Sequence, residues 1–80
     1  MDEYQRTTLT EAAEYREKEV LHHQININNY QRAIAEIEAH HAGKPHMEAF
    51  AERLRDLLKS SIEEQEKEAV MVKVIKAQLE

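Results

Sequence analysis

The chain has 80 residues, a formal net charge of −5 and no cysteine, and 34% of its residues are charged. A chain of this length forms one domain with a small core, and the missing cysteines exclude disulfide bonds and thiolate metal ligands. The positive charges form no basic stripe and no apolar run reaches the roughly 18 residues that span a bilayer, so we expect a cytoplasmic protein that binds neither nucleic acid nor membrane.

Residues 1–7 are polar and acidic, unlike a signal peptide, and predict a short tail or an extra helical turn. The first helix is predicted over about 8–41, because Thr8 and Glu11 form a capping-box pattern in which each side chain bonds the other's backbone. A start at Asp2, which has a glutamine three residues later, is the alternative.

The first helix carries an apolar stripe at alternating steps of three and four residues, which is typical of a helix that packs along one face. Arg16 and His23 are its polar interruptions, and we expect Arg16 to cover apolar surface with its stem while its head reaches Glu68 or Glu19. The stripe comprises Leu9, Ala13, Arg16, Val20, His23, Ile27, Tyr30, Ile34, Ile37 and His41.

The only glycine and the only proline of the chain predict a turn over about 42–45 and a second helix over about 46–79. Gly43 can adopt the left-handed conformation that ends a helix, and Pro45 suits the start of the next one. In the second stripe Ile62 follows Leu58 by four residues after another step of four, which predicts a nearly straight helix pair. It comprises Met47, Phe50, Leu54, Leu58, Ile62, Gln65, Ala69, Val72, Ile75 and Leu79.

A short turn folds the two helices into an antiparallel hairpin, in which Ile34 faces Leu54, Ile37 faces Phe50 and His23 faces Gln65. The segment HHQININNYQ, of low helix propensity, then falls opposite two serines. We interpret this polar waist as a buried layer that fixes register, and alternatively as a ligand or partner contact, or as solvent-exposed asparagines. Its residues are His23, Asn26, Tyr30, Ser61 and Gln65.

Several apolar residues lie off both stripes, and leaving them in water forfeits several kcal/mol at about 25 cal/mol per Å². A second copy would cover them, so we expect dimerisation of the hairpin into a four-helix bundle, or docking of another protein. A strand at 70–75 is disfavoured because no other strand is predicted to pair with it. The expected interface residues are Val70, Met71, Val74, Leu21, Ile25 and Leu57.

Three of the five histidines, His40, His41 and His46, surround the turn and are candidate ligands of Zn²⁺ or Ni²⁺. Adjacent histidines on a helix point about 100° apart, which suits one metal poorly. The other interpretation is a solvated cluster, in which positively charged histidines interact favourably with the C-terminal dipole of the first helix. We expect no cofactor.

Acidic residues concentrate at the open end of the hairpin, as a solvated face or as a surface for a basic partner. They are Glu11, Glu14, Glu17, Glu19, Glu63, Glu64, Glu66 and Glu68. No phosphate-binding loop or catalytic triad pattern is present. The sequence therefore predicts a non-enzymatic interaction protein (an adaptor, inhibitor or assembly factor) that binds itself and another protein. The alternative is a small-molecule or metal-binding protein with its site at a dimer interface or at the histidine-rich turn.

Overall fold

The computed structural model describes residues 1–80 and contains two helices, α1 (Glu3–His40) and α2 (Pro45–Leu79), and no strand. The predicted all-α hairpin is therefore confirmed. It is a rod 61 Å long and 15 by 14 Å across. The radius of gyration is 18.0 Å, whereas a compact domain of this length has about 12 Å. An elongated pair of helices leaves most side chains at the surface.

The N-terminus of α1 lies at Glu3, so the predicted start at Thr8 is wrong and the alternative cap at Asp2 is the one observed. The Asp2 carboxylate accepts from the backbone N–H of Gln5 at 2.7 Å, and the Asp2 N–H donates to the Gln5 side chain at 3.3 Å. An aspartate also carries the negative charge that suits a helix N-terminus. Residues 3–7 thus form the extra helical turn.

The turn follows the predicted chemistry, with helix boundaries within one residue of those predicted. Gly43 has φ +86°, the left-handed conformation that a side chain disfavours. Its N–H donates to the Glu48 carboxylate at 2.9 Å, which ties the turn to the first turn of α2. Pro45 occupies the first position of α2.

The two helices meet along a continuous seam, whose residues on each helix alternate strictly between steps of four and three. This is the seven-residue repeat of a left-handed coiled coil, so the predicted drift of the second stripe is wrong. Phe50, Ile62 and Ala69 are exposed and lie outside the seam. On α2 the seam consists of Met47, Ala51, Leu54, Leu58, Ser61, Gln65, Glu68, Val72, Ile75 and Leu79, and on α1 it is the predicted stripe.

The core of the hairpin is small, because only 6 of 80 residues are buried. Three of them form a cluster near the turn, against which Tyr30, Ala33, Ile34 and Met47 pack. The predicted facing of Ile34 and Leu54 falls within this cluster. The buried residues are Ala13, Ile27, Ile37, Ala51, Leu54 and Ile75.

Candidate interaction surface

One side of the seam is closed by ion pairs between the helices. Arg55 donates to the Glu38 carboxylate at 3.0 Å, and Lys76 pairs with Glu17. The hydrogen bond to Glu38 raises the pKa of Arg55 above its ordinary value, and the neighbouring Glu52 adds to the rise. We call this side, defined by Glu17, Glu38, Arg55 and Lys76, the ion-paired flank.

The other side of the seam carries large apolar side chains at intervals of seven or fourteen residues along α2. Phe50, Leu57 and Met71 are 47%, 38% and 38% exposed. A step of seven residues nearly returns to the same face of a helix, so they form one row. Val74, three residues after Met71, extends the row outward and is 49% exposed. No ion pair joins the two helices on this side.

Helix α1 contributes small side chains to the same side. Glu17 and Glu38 belong to the row of α1 that lies along the ion-paired flank. The row on the other side of the α1 seam therefore lies beside Phe50 and Leu57. It contains Ala12, Glu19, Asn26 and Ala33. All four are half-buried, and Ala33 packs against the core cluster. We call the surface formed by Ala12, Ala33, Phe50, Leu57, Met71 and Val74 the apolar flank.

Polar groups lie at the middle of the apolar flank. Glu64 stands seven residues from both Leu57 and Met71, in the same row of α2. Lys67 donates to its carboxylate at 2.9 Å, and this hydrogen bond raises the pKa of Lys67. Along the rod, the flank therefore passes from apolar to charged and back to apolar.

The five residues of the predicted polar waist are all half-buried at or beside the seam. His23 and Gln65 are predicted to face each other, but no hydrogen bond joins them: the Gln65 amide donates to the Val20 carbonyl at 3.1 Å and to Gln24 at 2.9 Å. Nδ1 of His23 is buried without a hydrogen-bond partner, and its ring stacks on that of His22 at 6.1 Å between centroids. Gln65, with two donor hydrogens, is satisfied by α1 without the imidazole.

The second polar element of the seam is a pair of charges in the open half of the hairpin. Nη1 of Arg16 lies 3.2 Å from both carboxylate oxygens of Glu68. The predicted contact with Glu68 is confirmed, and it is possible because both residues occupy the seam at the same level. The Glu68 side chain is 18% exposed, so this pair is better shielded from water than the other ion pairs.

The six predicted interface residues are all exposed, and the structure divides them into two groups. Leu57, Met71 and Val74 belong to the apolar flank, and Val70 lies further round α2. Leu21 and Ile25 lie on the outer face of α1, beyond the ion-paired flank. Phe50 is absent from the predicted interface because the apolar pattern places it in the seam; its seven-residue spacing to Leu57 is the signal that identifies it.

The histidines around the turn do not converge. His40 lies 4.0 Å from Glu36, and Nδ1 of His41 lies 3.3 Å from the Lys44 amine. No group of three or more His, Asp or Glu side chains is placed to hold a metal ion, so the predicted grouping with His46 is not formed. None of the surface grooves is lined by residues of the polar waist. The largest groove, of about 450 Å³, lies near the turn beside Glu38 and Arg55.

Comparison of the chain with protein-family models, curated proteins and solved structures finds no match. Neither helix contains a stretch that is long and apolar enough to cross a membrane. The surface chemistry of the hairpin is therefore the basis on which a function can be inferred.

Proposed function

We propose that this chain is a non-enzymatic interaction protein that self-associates through its apolar flank and binds another protein with its outer surface. The observation that carries the proposal is the contrast between the two sides of one seam. Arg55 and Lys76 bridge one side to α1, whereas Phe50, Leu57 and Met71 stand half-exposed on the other. A row of large, half-exposed apolar side chains, interrupted at Glu64, is typical of a protein contact surface.

The accessible area of the hairpin supports a second copy as the occupant of the apolar flank. The chain exposes 6009 Å², whereas a compact monomer of 9.4 kDa exposes about 5,000 Å². The excess of about 1,000 Å² is close to the roughly 800 Å² that each partner buries in a standard interface. Two hairpins joined at this flank would form a four-helix bundle.

The test is the mass in solution, measured by light scattering, for two matched variants of α2. Leu57 is 38% exposed on the apolar flank, and Ile62 is 39% exposed on the opposite side of the seam. We expect wild type and Ile62→Glu to have twice the 9.4 kDa chain mass, and Leu57→Glu to dissociate, because a buried unpaired carboxylate is costly. A monomeric wild type, or equal effects of both substitutions, would contradict the proposal.

The partner protein would bind the outer face of α1, where Leu21 and Ile25 are 60% and 51% exposed. This face belongs to the half of the hairpin that carries the acidic side chains, among them the exposed Glu11 and Glu14. Apolar residues beside negative charge suit a basic amphipathic segment. The partner we propose is therefore a protein with such a segment.

Capture from a cell lysate by wild type and by the double variant Leu21→Ser/Ile25→Ser tests this second contact. We expect a protein that only the wild type retains, that has a basic helical segment, and that elutes as salt is raised, since exposed charge contacts are screened. A captured protein that binds both forms equally would contradict the assignment of this face.

A further inference from the structure

We propose that the two copies pair in opposite directions, with the turn of one hairpin beside the open end of the other. The two-fold axis then crosses the rod near Glu64. This inference rests on the proposed self-association and adds the orientation of the partner. Its support is the distribution of charge along the rod and the order of side chains in the apolar flank.

The two halves of the hairpin differ in charge. Residues 30–59, around the turn, contain five Lys or Arg and five Asp or Glu and are neutral. The remaining residues, at the open end, contain six Lys or Arg and eleven Asp or Glu and carry the whole net charge of −5. Opposed copies place each acidic end beside a neutral one.

Copies that point in the same direction would place the two acidic ends side by side. Packed helices lie about 8–10 Å apart, which is close to the Debye length of about 8 Å at physiological ionic strength. The repulsion between the two ends would therefore be only partly screened. In that arrangement α2 would lie over the partner's α1, and Leu57 would face the partner's Ala33.

The order of side chains along α2 fits the opposed arrangement. Leu57 and Met71 lie seven residues before and after Glu64 in one row. When α2 packs antiparallel to its copy about an axis at Glu64, Leu57 therefore meets the partner's Met71. The two Glu64 carboxylates approach each other near the axis, and each has its own Lys67 at 2.9 Å as a counter-charge. The apolar contacts lie on both sides of this compensated centre.

The distance between the two turns distinguishes the orientations. The chain has no cysteine, so Lys44→Cys gives one attachment site per copy, in the exposed turn and outside the apolar flank. Two spin labels at this site should lie about 60 Å apart in an opposed dimer, because Lys44 is 20 residues from Glu64 in each copy and a helix rises about 1.5 Å per residue. A distance below about 25 Å would overturn the opposed orientation.

Cross-linking tests the same orientation through side-chain contacts. An oxidised mixture of Leu57→Cys and Met71→Cys chains should give the mixed disulfide, and Glu64→Cys should link to itself. If Leu57→Cys links instead to Ala33→Cys chains, the orientation is overturned while self-association stands. If light scattering finds only monomer, the proposed function fails first, so the two failures have different signatures.

Discussion

The half of the hairpin near the turn and the half at its open end are stabilised in different ways. Near the turn, Ile37, Ala51 and Leu54 form a dry cluster to which four half-buried neighbours are added. At the open end the seam contains the Arg16–Glu68 pair, and an unpartnered Nδ1 at His23 lies near its middle. The seam thus keeps the same spacing throughout, but the two helices pair through apolar side chains near the turn and partly through polar side chains at the open end.

The open half therefore gives up stability that the same fold could have had. Apolar seam residues cost no desolvation, whereas every buried polar group needs a partner to offset its loss of water. The open half also holds the whole net charge of −5. We infer that the turn half maintains the hairpin and that the open half is the region where a partner can contribute most.

The largest expected effect is a difference between two buried aliphatic residues of α2. Leu54→Ala should lower the free energy of unfolding by about 3–5 kcal/mol, because it leaves a cavity in the dry cluster, and Ile75→Ala should cost about 2–3 kcal/mol. Leu54 and Ile75 are equally well buried, at 5% and 7% exposed, but Ile75 belongs to no cluster of buried residues. Urea unfolding followed by circular dichroism at one protein concentration measures both.

A loss of stability in Ile75→Ala equal to or larger than that in Leu54→Ala would contradict this difference between the halves. It would mean that the open end is as well packed as the turn half when the protein is in solution. Repeating both measurements over a range of protein concentrations separates packing within the hairpin from packing against a second copy, since only the second depends on concentration.

Much of the fold follows from local signals in the sequence. Gly43 and Pro45 fix the turn by backbone chemistry, and the contact between Arg16 and Glu68 follows from the register that the turn imposes. The seam of α2 is less evident in the sequence, because hydrophobicity favours Phe50 over Ala51, whereas the seven-residue repeat places Ala51 inside. A small residue in a seam gives no signal by itself and is found only through the repeat.

The candidate surface was only partly predictable for a related reason. Apolar residues outside the seam can be identified from the sequence. Which side of the seam they share depends on the helix phase, and an error of one residue in that phase changes the assignment. Moving Phe50 from the seam to the flank joins it to Leu57 and Met71. The ion pairs that close the opposite side depend on the same phase, and only the folded structure fixes it.

The second prediction concerns the charged pair of the open half. Glu68→Gln should lower the free energy of unfolding by about 1.5–3 kcal/mol, because Arg16 keeps its charge at the seam and loses its anionic partner. The double variant Arg16→Met/Glu68→Leu should recover this loss or exceed wild type, since apolar residues of similar volume often replace a shielded ion pair without cost. Urea unfolding of the single and double variants measures the coupling.

A double variant as unstable as Glu68→Gln would contradict this account. The pair would then contribute a specific geometry that apolar side chains do not reproduce. The exposed pair of Arg55 and Glu52 is the matched comparison within α2, because exposed pairs contribute little. Glu52→Gln should therefore change the unfolding much less than Glu68→Gln does.

The smallest expected effect has the opposite sign and tests the unpartnered imidazole. His23→Leu should raise the free energy of unfolding by about 1–2 kcal/mol, because it removes a buried polar atom without a hydrogen bond and adds an apolar seam residue. His46→Leu, in the first turn of α2, exposed and distant from His23, is the control and should change little. Thermal and urea unfolding of both variants measure the difference. A loss of stability in His23→Leu would mean that Nδ1 gains a partner in solution, and the polar waist would then be a contact rather than a weak layer of the seam.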